Sequence, residues 1–238
     1  LKWKNFKLDQ LLERIDSIIQ VEDRKLCLIS KFEFTDEEIQ KLKEYVDIQF
    51  QNGYAFAFDL RFNMKNEIIN ILNSRNLLAD EYSFMSILKW LNPNLRGYPK
   101  LLYLKDSPIQ TIEQIISINF PDTITRKQIQ DFIISYGYSE QTVYKVMFEL
   151  IDKNYFYQYT GLEFINANQL NFTDSIILSL KTYLDEQFRN KVYLSALDLV
   201  GINSIAPICH QGWSYHLIYE LAPKVGYRHI PTNSDYRY

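Results

Sequence analysis

Glycine is scarce in this chain, with 7 in 238 residues. That leaves little material for glycine-rich phosphate loops, and neither GxGxxG nor GxxxxGK[ST] occurs. HExxH and GxSxG are missing too, so the common signatures of a metalloprotease or an α/β-hydrolase nucleophile are not there. Cysteine is limited to Cys27 and Cys209, far apart and without a CxxC. This excludes a disulfide framework and reads as a reduced, cytoplasmic protein. There are three histidines, His210, His216 and His229, all near one end. Cys209 and His216, seven apart, suggest one helix face, but no zinc spacing is satisfied and no fourth ligand is evident. The reading is therefore non-enzymatic, with no metal and no small-molecule cofactor. The net charge of -3 gives no global field toward polyanions. No apolar run approaches membrane-span length and no signal peptide opens the sequence, so no membrane association is expected. The first residue is Leu, which reads as a segment of a longer polypeptide.

What the chain does have is aromatics and an internal repeat. Tyr (18) and Phe (15) are abundant. Phe34 to Asn52 reads FTDEEIQKLKEYVDIQFQN and Phe172 to Asn190 reads FTDSIILSLKTYLDEQFRN, with eleven of nineteen positions identical. Such self-similarity sets the architecture before any other signal. Thr35 to Glu38 is a helix start of the capping-box kind, and Ile39, Leu42, Val46 and Phe50 form the expected buried stripe, matched by Ile177, Leu180, Leu184 and Phe188. The copies continue in step from Tyr54 to Leu60 and from Tyr193 to Leu199. More loosely, Tyr82-Ser83-Phe84 with Ile87 matches Trp213-Ser214-Tyr215 with Ile218, and each copy then reaches Gly-Tyr, at Gly97 and Gly226. Extra residues near 66–80 mark an insertion in the first copy. Upstream, Leu8 to Gln20 carries helical periodicity and Lys25 to Ile29 reads as a strand.

Between the copies, Thr125 to Tyr136 reads as a helix, Gly137-Tyr138 as a turn, and Ser139 as the cap of a helix over Glu140 to Lys153 that buries Val143, Val146, Met147 and Leu150. A hairpin follows, with Thr160-Gly161 at its tip. Helix, tight turn, capped helix and hairpin resemble the winged-helix (helix-turn-helix) superfamily. The expected fold class is mainly α with short β-hairpins (α+β), arranged as tandem winged-helix-like units. The expected divisions are 1–33 (an N-terminal helix and strand), 34–105 (first repeat), 106–168 (central unit) and 169–238 (second repeat).

The resemblance implies a DNA-binding or regulatory module that contacts duplex DNA. Gln141 and Lys145 lie on the outward face of the second central helix, where base edges or phosphates would be met. Ser139, at the start of that helix, is placed to hold a phosphate. Arg126 and Lys127 are candidate phosphate contacts, and so are Lys224, Arg228 and His216 in the second repeat, with Arg96, Lys100 and Lys105 in the comparable region of the first. The charge count opposes this: from Phe120 to Asn168 there are four basic and six acidic residues, and phosphate binding depends on Lys and Arg. Tyr144 and Phe148 share the outward face and favour the alternative, a protein-interaction or scaffold module that contacts a protein partner or another domain of the same polypeptide. Lys2, Lys4 and Lys7 around Trp3 and Phe6 make a further basic-aromatic cluster.

Overall fold

A computed structural model describes residues 18–22, 25–79, 81–97 and 100–229. The fold is α+β, built of helices and small antiparallel sheets. The chain divides into two compact units between Thr111 and Ile112.

In the first unit, β1 (Ile18–Glu22) pairs with β2 (Lys25–Leu28). The strand expected at Lys25 is present. The helix expected over Leu8 to Gln20 is not what residues 18–20 form; they belong to β1, and the rest of that segment lies outside the described residues. The run Ile-Ile-Gln-Val-Glu is rich in β-branched side chains, and a neighbouring strand satisfies its backbone better than helical spacing would. Helix α1 (Asp36–Gln49) begins with the expected capping box: Glu38 N–H donates to Thr35 Oγ1 and Thr35 N–H donates to Glu38 Oε2. Arg75 reinforces it, with Nη2 2.7 Å from Glu38 Oε2 and its guanidinium 4.5 Å from the centre of the Phe34 ring. Next come β3 (Tyr54–Phe56), α2 (Ala57–Phe62), α3 (Asn66–Asn73), α4 (Glu81–Leu91), β4 (Leu95–Gly97) and β5 (Leu101–Leu104), with β5 central between β3 and β4. Helix α3 fills the insertion expected near 66–80. Leu42, Val46, Leu60, Phe84, Ile87 and Leu102 form the middle of the core.

The second unit repeats this order. Helix α5 (Ile112–Asn119) leads to β6 (Thr123–Thr125), α6 (Arg126–Ser135), α7 (Glu140–Asp152), β7 (Phe156–Gln158) and β8 (Glu163–Asn166), with β8 central. Val143, Val146, Met147 and Leu150 are the buried residues of α7, as their spacing predicts. The expected hairpin is joined by a third strand, β6, in the register Ile124 opposite Phe164. Strand β8 is buried on both faces, because Phe164, Ile165 and Asn166 are each nearly inaccessible. Ile165 and its cross-strand partner Tyr157 face the C-terminal elements, α8 (Asp174–Phe188) and α9 (Tyr215–Leu221), and share one core with Leu180, Leu184, Leu217 and Leu221. The central segment and the second repeat therefore do not have separate interiors.

The two repeats agree at their anchors and diverge between them. Tyr45 O–H donates to the Leu60 carbonyl, and the equivalent Tyr183 O–H donates to Val200 O at 3.1 Å. Gly97 and Gly226 both hold positive φ, +92° and +96°. At Gly97 a Cβ would stand 2.3 Å from Leu101 O, so only glycine fits there. In contrast, the strand and helix of Tyr54 to Phe62 become an extended segment and a short 3-10 turn, Ala196–Asp198. Buried Phe56 is replaced by Ser195, whose backbone N–H and hydroxyl bond Asp198 instead. Thr173 also caps more weakly than Thr35. Glu38 is replaced by Ile176, and the Thr173 hydroxyl meets Ser175 Oγ rather than a backbone N–H. A terminal hairpin for the second repeat would lie outside the described residues.

Two stability effects follow. Thr35→Ala should cost about 1 kcal/mol by urea denaturation, in the usual range for a lost N-cap, and Thr173→Ala less than half of that. Asn166 Nδ2 donates to Ser117 O at 2.8 Å and Phe120 O at 3.0 Å from a site 1% exposed. Asn166→Ala should cost about 2 kcal/mol, because it leaves two part-buried carbonyls without their donor.

Candidate nucleic-acid interface and the adjoining cleft

Helix α7 presents Gln141, Tyr144, Lys145 and Phe148 outward, all exposed, because the opposite face carries the core stripe. Ser139 is its N-cap residue, with extended backbone. Its hydroxyl pairs with Thr142 Oγ1 at 3.1 Å rather than with a backbone N–H; Thr142 N–H donates to the Ser139 carbonyl at 2.9 Å, which leaves the Glu140 and Gln141 amides as the uncapped donors of the first turn. Helix α6 starts at Arg126 through a second capping box, Thr125 with Gln128. This fixes Arg126 where its guanidinium stands 5.2 Å from the centre of the Tyr144 ring, a cation–π contact linking the two helices. Lys127 and Lys145 are exposed, and neither forms an ion pair among the described residues, whereas Lys153 is paired with Glu149 at 2.6 Å.

The corresponding helix of the first unit is different. No residue of α4 is exposed. Strand β1 packs along it, and Ser83 O–H donates to the Val21 carbonyl. Two of the three basic residues expected nearby are engaged: Lys100 pairs with Glu81 at 2.7 Å, and Arg96 Nη1 donates to Pro93 O and Leu95 O; Lys105 is exposed.

The second unit also contains a cleft of about 900 Å³ between α7, the β7–β8 tip, the end of α8, the 192–199 segment and α9. Arg126, Phe148, His216 and Arg228, named separately from the sequence, all line it. Lys127, Ser139, Gln141, Tyr144 and Lys145 are not among its lining residues. Helix α7 thus divides into an N-terminal half turned to solvent and a C-terminal half, from Met147, that lines the cleft. Lys224 belongs to neither surface. Its ammonium donates to the Tyr157 hydroxyl at 3.0 Å and lies over the Tyr157 and Phe172 rings, so it braces the shared core.

Cleft residues that sequence reading missed include Leu162, Val192, Tyr193 and Tyr215, all exposed. Their only signal was the repeat itself, since Tyr193 and Tyr215 sit in its matched blocks. Tyr227 stacks on Phe188 with ring centres 4.7 Å apart and donates to Asp185. Burial, then the Asp185 contact, pushes its phenol up to about 12. This pins the backbone beside Arg228. Cys209 does not share a helix face with His216: it precedes α9, in a turn where its Sγ lies 3.1 Å from Gly212 O. Burial raises its thiol pKa. Among the described residues no group of three His, Cys, Asp or Glu comes together to hold a metal.

Burial holds the His216 imidazole below its ordinary 6.5, so it is neutral at pH 7. A folded-state pKa below the unfolded one makes protonation oppose folding. Stability should be full above pH 6.5 and decline as pH falls from there through the lowered value; His216→Gln should flatten that slope in urea melts recorded at several pH values. No family model, curated protein or solved structure matches this chain, so the reading of its role rests on geometry and chemistry.

Proposed function

We propose that this chain is a non-catalytic DNA-binding, regulatory module made of tandem winged-helix-like units, with α6 and α7 of the second unit as the contact surface for duplex DNA. The observation that carries the reading is a shared plan: residues 36–104 and 112–166 both run helix, strand, helices, hairpin, with the last strand central in the sheet. In this reading α7 is the helix that enters a groove, and its N-terminal half does the reading, as recognition helices commonly do. Gln141 and Lys145 meet base edges and phosphate. Arg126 and Lys127 hold phosphate from the start of α6, and the amides after Ser139 add a helix N-terminus. The sheathed α4 makes the first unit a scaffold rather than a second reader. His216, Lys224 and Arg228 are not part of this contact surface, which is confined to α6 and α7; His216 and Arg228 line the cleft and Lys224 meets the Tyr157 hydroxyl.

A second reading, a protein-interaction or scaffold module, is favoured by Tyr144 at 50% and Phe148 at 45% exposure. Aromatic rings left half open on a helix face are characteristic of protein contacts.

A 20-base-pair duplex titrated at low salt distinguishes the two. DNA binding should show a steep salt dependence. Lys127→Ala with Lys145→Ala should weaken it and reduce the log–log salt slope by about 1 per lost phosphate contact, and Lys224→Ala should leave affinity unchanged. Undetectable binding at low salt would overturn the proposal. Loss of a protein complex on Tyr144→Ala with Phe148→Ala, with the fold retained, would favour the second reading.

A further inference from the structure

We propose that the cleft of the second unit is a binding site for a small, flat aromatic molecule carrying one acidic group. At about 900 Å³ it falls within the roughly 300–1,000 Å³ typical of small-molecule sites. Its floor is apolar and closed: Met147, Phe164, Leu184 and Ile218 line it and are buried. Its rim is aromatic and open, with Phe148, Tyr193 and Tyr215 respectively 45%, 68% and 47% exposed. Aromatic side chains left half exposed beside an apolar floor suit a planar π-system, which packs against them and excludes water beneath.

The charges select the rest of the ligand. Arg228 is exposed and forms no ion pair among the described residues, and the pinned Tyr227 beside it holds its backbone in place. Arg126 lines the same cleft. A guanidinium presents paired donors that fit a carboxylate, sulfonate or phosphate group. Asp152 and Glu220 also line the cleft, so its charges balance. Such a site disfavours a polyanion and accommodates a single acidic group placed at an arginine. His216, neutral at pH 7, adds a polar contact without altering that balance. The inference does not depend on DNA binding: Arg126 borders both surfaces, but Arg228 and the rim rings Phe148, Tyr193 and Tyr215 lie outside the Gln141–Lys145 surface.

The test uses 8-anilinonaphthalene-1-sulfonate, whose flat naphthalene ring carries one sulfonate, beside N-phenyl-1-naphthylamine, which has the same rings without the acid. Both are titrated calorimetrically against the whole chain. The sulfonate should bind one per chain. Arg228→Ala, and Arg228→Gln as a second variant, should raise its dissociation constant about tenfold, the usual effect of losing a charge-assisted hydrogen bond. The uncharged amine should change less than twofold. Phe148→Ala with Tyr193→Ala should weaken both probes. Circular dichroism confirms that each variant is folded. The proposal is overturned if neither probe binds, if the sulfonate binds the Arg228 variants as tightly as the parent chain, or if the ring substitutions leave both probes unaffected.

Discussion

Strand β8 is buried on both faces, and the second unit depends on that. A central strand in a small sheet usually has one face toward a core and the other toward water. Here Phe164 lies opposite Ile124 and Gln158, whereas Ile165 lies opposite Thr123 and Tyr157 and is completely buried. A hairpin with apolar side chains on both faces cannot stand alone in water. Each aliphatic side chain of this kind is worth roughly 1.5–3 kcal/mol when removed from solvent. The second repeat covers the Tyr157 and Ile165 face and in doing so completes the hydrophobic interior. Lys224 closes the join, reaching from the far end of the repeat to the Tyr157 hydroxyl.

The cleft follows from the same arrangement. Once α9 is drawn onto the hairpin, it stands across from the C-terminal half of α7. The segment leading to the Ala196–Asp198 turn fills only part of the intervening space. In the first unit a strand and a full helix occupy the equivalent positions, β3 and α2. In the second, Ser195 replaces the buried Phe56, and hydrogen bonds to Asp198 tie the segment into a local turn. The aromatic anchor of the first copy thus has no counterpart at Ser195. The duplication therefore kept its long first helix and its glycine turn while the middle elements diverged. The two units also differ at the helix that precedes each hairpin: β1 sheathes α4, and α7 stays half open.

Much of the fold was legible where periodicity or capping chemistry is strong. The core stripe of α7, the Thr35 capping box, the inserted segment that became α3 and the hairpin around Gly161 are all local patterns. The third strands β3 and β6 were not legible. Three residues are too few to show alternation, and Thr125 signals the helix after it more strongly than the strand it ends. Ile18 to Gln20 failed for a related reason, since a short run of Ile suits helix and strand alike until a partner strand is known.

The candidate surface divides in the same way. Sequence alone determined the duplication and the outward face of α7 with Gln141, Tyr144, Lys145 and Phe148. Both depend on residue type and spacing along one element. Tertiary structure decided that Phe148, Arg126, His216 and Arg228 meet around one cleft, that Lys224 reaches the Tyr157 hydroxyl and that α4 is closed. Those facts depend on which faces are covered by elements distant in sequence, and hydrophobic burial between elements leaves no mark in the spacing of any single one.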